Sequence, residues 1–208
     1  MLDERIEYKG YVIEILPDQF ADSPNDWDDD QAFLIADHRD FAIERKGFTL
    51  GLVESALRGG KYEDGSEYPE ALDLKKDYHI FGLEAYIHSG VVLSLSKEGN
   101  FPDRNWDVSQ LGYVLIFKGM CNRRDEAKKA ATGLINTWNQ YLSGDVWNVN
   151  ILDDKGETID GGGSQYGYDE ALDMAKSTVD RLAEWDKKAH EKALKAQIKN
   201  NVPFEKRN

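Results

Sequence analysis

The sequence is poor in cysteine and in long apolar runs. Only one of its 208 residues, Cys121, is a cysteine, so no disulfide can form within the chain. Disulfide-stapled secreted scaffolds are therefore excluded, and a reducing cytoplasm is the expected setting. The first residues, MLDERIEYKG, carry charges where a signal peptide needs an apolar stretch. No apolar run approaches the ~20 residues of a membrane-spanning helix, so no membrane association is expected.

Positive charge is scarce and unevenly placed. The chain has 26 Lys and Arg against 39 Asp and Glu, which gives a net charge of −13. Residues 1–60 hold 14 acids and 6 bases, whereas residues 186–208 hold 3 acids and 7 bases. An acidic body repels nucleic acid and attracts basic partners, and ordinary solubility charge is the alternative explanation. We therefore expect no direct nucleic-acid binding by the acidic body.

Hydrophobic patterning predicts the fold class. Strand-length apolar runs follow one another with few helices between them, at residues 5–16, 32–36, 78–96, 111–118 and 146–159. Such spacing favours a mainly antiparallel sheet. Helical periodicity predicts two longer helices over residues 122–143 and 169–185, with Leu134, Ile135, Trp138, Val179 and Leu182 in the core. We predict an α+β fold, a mostly antiparallel sheet of about five or six strands with both helices packed on one side.

Length and charge predict the domain organisation. A chain of 208 residues suits one large domain that buries its own core or, less often, two small ones. Beyond Trp185 the apolar stripe thins to alanines among lysines. We therefore predict a single α+β domain over residues 1–185, followed by a basic helical tail over residues 186–208.

Histidines and aspartates are the residues that suggest chemistry. His38, His88, Asp28 and Asp107 are able to form a metal site or an acid–base pair if the fold brings them together. The sequence contains no HExxH, CxxC or EF-hand spacing, and histidines at strand ends are commonly held structurally by hydrogen bonds. A small metal-dependent hydrolase stays an alternative. An enzyme is the less favoured interpretation, and no catalytic residue, metal ligand or cofactor is predicted.

A glycine-rich stretch precedes the last predicted helix. Residues 160–167 (DGGGSQYG) are predicted to form a loop between a strand and a helix, where backbone N–H groups are able to cradle phosphate. No Gly-Lys-Ser or Gly-Lys-Thr follows, and the dinucleotide-binding spacing is also absent. A tight strand-to-helix turn is the simpler interpretation.

An aspartate-rich loop supplies the predicted partner surface. Four aspartates surround Trp27 between two predicted strands, and Trp106 is likewise followed by an aspartate. Loop tryptophans either tuck into a domain or anchor a partner, and the carboxylates either meet a basic partner or are solvated. The predicted partner-binding residues are Asp22, Asp26, Trp27, Asp28, Asp29, Asp30, Asp37, Trp106 and Asp107.

Several segments together resemble a family of uncharacterised bacteriophage and mobile-element proteins. They are residues 11–41 (YVIEILPDQFADSPNDWDDDQAFLIADHRDF), 86–90 (YIHSG), 106–117 (WDVSQLGYVLIF), 141–152 (YLSGDVWNVNIL) and 156–167 (GETIDGGGSQYG). The shared pattern is an acidic loop with aspartate, proline and a Trp-Asp pair, a His-Ser-Gly turn, and a Trp-Asp-x-x-Gln-x-Gly entry to a strand. Residues 44–77 and the tail after Trp185 depart from this pattern.

The resemblance implies a phage accessory protein that acts in the host cytoplasm. Such proteins often bind host proteins, and an acidic one can imitate DNA phosphates in a basic cleft. We therefore predict an anti-defence inhibitor that binds a host nucleic-acid-handling protein with a basic surface. A phage structural or assembly protein, which would use the basic C-terminal helix, is a further alternative.

Overall fold

The structure is a computed structural model that describes residues 4–27, 30–38, 41–101, 107–200 and 203–206. The strands are β1 (Glu4–Tyr8), β2 (Tyr11–Pro17), β3 (Ala32–His38), β4 (Phe41–Ile43), β5 (Tyr78–Ile87), β6 (Val91–Leu95), β7 (Val108–Phe117), β8 (Val146–Leu152) and β9 (Thr158–Tyr166). The helices are α1 (Leu50–Leu57), α2 (Glu70–Asp77), α3 (Arg124–Ser143) and α4 (Tyr168–Lys199), and a short 3₁₀ helix spans Phe204–Lys206.

The chain divides into two compact units. Met1–Gln19 and Val146–Asn208 form one, which we call the terminal unit, and Phe20–Asp145 form the other, the central unit. In sequence, the central unit is inserted between the second and third strands of the terminal unit. Helix α4 passes residue 186 without a break, and the division into a body and a basic tail stays a prediction.

The terminal unit is a four-stranded antiparallel sheet with one helix on it. The strand order is β1-β2-β8-β9. Alternation along β2 and β8 turns Ile13, Ile15, Val149 and Ile151 to one face, where they pack against helix α4. The helix presents small residues there, Ala171 and Ala175 among them, and small side chains allow a helix to lie close to a sheet.

The glycine-rich stretch belongs to this sheet, so the loop predicted over residues 160–167 is wrong. Most of it lies in strand β9, which pairs with β8. A Cβ atom on Gly161 would stand 2.3 Å from the Val149 carbonyl oxygen, which explains a glycine there. Ser164 has a positive φ of 51°, and its N–H and hydroxyl both donate to Asp18 Oδ2 at 3.0 Å. A phosphate cradle needs free backbone N–H groups. In this stretch, pairing with β8 and the hydrogen bond to Asp18 use backbone N–H groups inside the protein.

A tyrosine–glutamate hydrogen bond at the start of helix α4 provides a pH-dependent test. Tyr168 donates to a Glu4 carboxylate oxygen. This bond, with a smaller effect of burial, raises the pKa of Tyr168 to about 12. The folded pKa therefore lies above the unfolded value of about 10. The stabilisation that the Tyr168–Glu4 hydrogen bond provides is fully present below pH ~10 and is lost as the pH rises through about 12.

We expect an absorbance titration of tyrosinate to contain a component with a pKa of about 12 that disappears in Tyr168→Phe. Glu4→Gln should shift this component downward, because the uncharged amide is a weaker acceptor than a carboxylate. A component near 12 that survives Tyr168→Phe unchanged would contradict the assignment.

The central unit is a five-stranded antiparallel sheet with helices on both faces. The strand order is β4-β3-β7-β5-β6. On one face, Leu34, Val114 and Ile116 belong to the same core as α3 residues Ile135 and Trp138. Phe33, Ile35 and Leu115 pack with residues of α1 and α2 on the other. Because both faces are buried, β3 and the second half of β7 appear in the sequence as continuous apolar runs.

Helix ends in the central unit follow local chemistry with one exception. The Thr49 hydroxyl accepts from Leu52 N–H at 3.1 Å and caps α1, as its position predicts. Gly144 ends α3 with a φ of 74°, a left-handed conformation that glycine adopts without strain. Asn122 precedes α3 and its side chain is typical of an N-cap, which predicts a cap there. That prediction is wrong, because α3 begins one residue later, after Arg123, and no described side chain caps it.

The α+β class and the antiparallel pairing are confirmed. The strands form two sheets where one was predicted, and the two long helices pack on different sheets. Ile135, Trp138 and Val179 are buried as predicted, whereas Leu134 and Leu182 are only partly buried. No helix in the described ranges is long and apolar enough to cross a membrane.

Candidate functional site: acidic surface of the central unit

The predicted aspartate-rich loop is exposed but held by a partly buried arginine. Trp27 is 41% exposed, and Asp22, Asp26 and Asp30 are also exposed. Arg45 lies beneath the loop and donates to the carbonyl oxygens of Asn25 at 2.6 Å and Trp27 at 3.1 Å. Asp28, Asp29 and Trp106 lie outside the described residues.

Arg45 also compensates one of the predicted carboxylates. Its Nε and Nη2 atoms donate to Asp30 Oδ1 at 3.1 and 2.5 Å. The guanidinium carbon lies 5.5 Å from the centre of the Phe33 ring, and the arginine side chain is only 12% exposed. A half-buried ion pair of this kind orders the loop. Arg45 therefore compensates part of the negative charge of Asp30, although the Asp30 side chain is 70% exposed.

The remaining predicted residues are spread along the sheet. Asp37 is exposed near the end of β3 and lines a groove of about 710 Å³ with Arg45 and Lys46. Asp107 directly precedes β7, where its carbonyl oxygen accepts from Ile87 N–H at 3.0 Å. Since β3 and β7 are antiparallel, Asp37 and Asp107 occupy the same end of the sheet, whereas Asp30 precedes β3 at the other end.

The residues of the alternative hydrolase hypothesis do not form a metal-binding cluster within the described ranges. His38 ends β3 opposite Phe41, and the His88 ring has the Tyr86 ring as a neighbour at 6.2 Å. Among the residues that the structure describes, no three His, Cys, Asp or Glu side chains are grouped to hold a metal ion. Asp28, the fourth residue of that hypothesis, lies outside those residues.

Among the described residues, a different stretch carries more acids without salt bridges, and sequence reasoning missed it. Five exposed acids and no basic residue fall between Tyr62 and Leu74. We call this stretch the acidic segment; its acids are Glu63, Asp64, Glu67, Glu70 and Asp73. Asp73 forms a salt bridge with Lys76 at 2.7 Å. The other four form none with any described residue.

The acidic segment has an ordered backbone. Residues 60–68 form a tight hairpin, in which Tyr68 N–H donates to the Gly60 carbonyl at 2.7 Å and Tyr62 N–H donates to the Ser66 carbonyl at 2.9 Å. The Tyr62 and Tyr68 rings stack at 4.4 Å. Helix α2 follows directly and is anchored by the buried side chains of Ala71 and Leu74.

Local hydrogen bonds keep one carboxylate of the hairpin charged. The Ser66 hydroxyl and N–H donate to Asp64 Oδ1 at 2.6 and 2.9 Å and lower the pKa of Asp64. Burial, with smaller effects from Tyr68, Glu70 and Asp64, raises the pKa of Tyr62. Asp64 and Glu70 therefore both lie close enough to influence the pKa of Tyr62, although five residues lie between them in sequence.

Two sequence signals for this segment were available. Asp64-Gly65 is a typical turn dipeptide, and the absence of basic residues over residues 62–74 is readable directly. Residues 61–77 are charged and only weakly periodic, a pattern that favours a loop or a weak helix. Stacking of Tyr62 on Tyr68 orders the hairpin, and no periodicity reports such a contact.

Comparison with known proteins adds no relative. No protein-family model matches the sequence, and no curated protein or solved structure matches it at a significant level.

Proposed function

We propose that this protein is a phage or mobile-element accessory protein that inhibits a host nucleic-acid-handling defence protein. Its acidic surface binds a basic cleft of the target and takes the place of DNA. The observation that carries the proposal is the acidic segment, in which four exposed carboxylates without a salt-bridge partner in the described part of the chain lie on an ordered hairpin and helix. The phage context rests on the sequence resemblance, and the mechanism rests on the charge.

Order in the acidic segment favours binding. Duplex DNA presents one phosphate charge per ~1.7 Å of helix axis, so a protein that imitates it has to hold several carboxylates close together. The hairpin bonds and the Tyr62–Tyr68 stack fix the backbone before binding, which reduces the entropy lost on association. Tyr62 is also 45% exposed and supplies an aromatic contact beside the charges.

The test begins with immobilised protein and a host lysate. Proteins that bind it and are released by duplex DNA are identified by mass spectrometry, because release by DNA selects partners that use their DNA-binding surface. The affinity of one purified partner is then measured at low and high salt. We expect Glu63→Gln/Glu67→Gln/Glu70→Gln to weaken binding at low salt by roughly tenfold or more, because complementary charges drive the encounter.

Two further variants locate the interface. Asp154→Asn/Glu157→Gln/Glu191→Gln makes the same change in net charge at exposed acids of the terminal unit and should leave affinity nearly unchanged. Asp28→Asn/Asp29→Asn/Asp30→Asn measures the contribution of the aspartate-rich loop. Equal losses of affinity in the terminal-unit control and the acidic-segment variant would show that overall charge, and not the acidic segment, causes the effect. Absence of any partner that duplex DNA releases would refute the proposal.

A further inference from the structure

A small basic cavity lies on the central unit, where β5 begins and β7 ends. Its volume is about 200 Å³. The basic side chains that line it come from four separate elements: Lys75 from α2, His79 from β5, Lys118 from the residue after β7 and Arg124 from the start of α3. Leu57, Tyr78 and Ile80 complete the wall and give it an apolar part.

The cations of this cavity have no carboxylate partners in the described parts of the chain. Lys118 Nζ donates to the Lys75 carbonyl at 2.8 Å, and Arg124 Nη2 donates to the Ile80 carbonyl at 3.3 Å. Their sequence neighbours differ, since Lys76 pairs with Asp73 and Arg123 pairs with Asp125, both at 2.7 Å. In a chain with 13 excess negative charges, converging cations without acids are unexpected, because like charges repel and acids are abundant.

The start of helix α3 lies beside the cavity, and a histidine hydrogen bond fixes the segment before it. The N-terminus of a helix carries a partial positive charge, which Asp125 and Glu126 in the first turn of α3 partly offset. His79 Nε2–H donates to the Cys121 carbonyl at 3.0 Å, which ties the segment before α3 to strand β5. The cationic groups are therefore attached to a fixed backbone.

We propose that this cavity binds a phosphate monoester that carries a small apolar group. A phosphate dianion would replace the missing carboxylates, and a guanidinium is able to bind two of its oxygens at once. The apolar group would lie against Leu57, Tyr78 and Ile80. Asp73 and Asp77, the two acids nearest in sequence to Lys75, do not line the cavity. The site is independent of the acidic segment and of the inhibitor proposal.

The test is calorimetric titration of the full chain with phenyl phosphate and with inorganic phosphate. We expect saturable binding of phenyl phosphate with a Kd on the order of 0.1–1 mM. Inorganic phosphate should bind several-fold more weakly, because it lacks the apolar group. Lys118→Met and Lys75→Met should each weaken phenyl phosphate binding by roughly tenfold, as expected for the loss of a charged hydrogen bond.

Lys76→Met is the matched control. It removes the same charge from the same turn of α2, at a lysine that pairs with Asp73 and lies outside the cavity lining. We expect it to leave the affinity unchanged within about twofold, as for a screened surface charge. Lys75 and Lys76 are both exposed, so both variants should fold. Absence of saturable binding by the unmodified protein up to roughly 10 mM, or equal losses in the two lysine variants, would overturn the proposal.

A short phosphotyrosine peptide serves as a third probe. Tighter binding of the peptide than of phenyl phosphate would assign the phosphate to a protein partner, and the reverse order would assign it to a free metabolite. Both results support the site, whereas equal binding of the peptide to wild type and Lys118→Met would contradict it.

Discussion

Replacing Gly112 by alanine should destabilise the central unit by about 3 kcal/mol or more. Gly112 lies in β7, the middle strand of five, between Ala36 of β3 and Leu83 of β5. An added Cβ would stand 2.1 Å from the Ile35 carbonyl oxygen and 2.9 Å from Ala36 Cα. Both atoms belong to the neighbouring backbone, so no side chain can rotate away, and the β3–β7 pairing itself would have to shift.

Urea denaturation followed by circular dichroism measures this effect. Gly133→Ala is the matched control, because Gly133 is exposed on α3 and an added Cβ meets nothing within 4 Å. There alanine should stabilise the protein by roughly 0.5–1 kcal/mol through helix propensity. Identical unfolding midpoints for Gly112→Ala and the wild type would show that the sheet accommodates a side chain at this position.

Trp138→Ala should cost about 3–5 kcal/mol. Trp138 lies on α3, is only 3% exposed and belongs to the core between that helix and the five-stranded sheet. Its ring meets the Tyr141 ring edge-on at 5.7 Å. Removing the indole leaves a large cavity that a helix fixed along its length is poorly able to close.

Trp138→Phe separates volume from polarity at the same site. The indole Nε1–H is buried and has no hydrogen-bond partner among the described residues. Phenylalanine keeps much of the ring volume and removes this unpaired donor, whose burial is unfavourable. We expect a cost of about 1 kcal/mol or less by the same denaturation measurement. A loss as large as that of Trp138→Ala would show that the N–H is stabilising.

Local structure was predictable wherever a few neighbouring residues decide it. Gly10 marks the turn of the β1–β2 hairpin, Thr49 caps α1, and Gly144 ends α3. Each of these outcomes depends on the φ of one residue or on one hydrogen bond within a turn. For residues 160–167 the same reasoning gave a wrong loop. Glycine is common in loops, but it also occurs in strands where a neighbouring carbonyl approaches closely.

The division into two sheets was not predictable from patterning. Apolar alternation shows which face of a strand is buried, but backbone hydrogen bonds are the same for every residue and do not specify a partner strand. Strand β2 pairs with β8, although 128 residues lie between Pro17 and Val146. The continuous runs of β3 and β7 indicated burial on both faces without showing which helix covers which face.

By itself, the sequence determined the α+β class, the acidic charge, most helices and strands, and the lack of long apolar runs, because composition and local periodicity fix these properties. Only the tertiary structure decided which charges are compensated. Arg45 compensates part of the charge of Asp30 in the aspartate-rich loop, whereas Glu63, Glu67 and Glu70 have no salt bridge with a described residue. Likewise, Lys75, Lys118 and Arg124 meet around one cavity only because α2, β5, β7 and α3 end or begin there. Charge compensation depends on distances between side chains that are remote in sequence, and folding alone sets those distances.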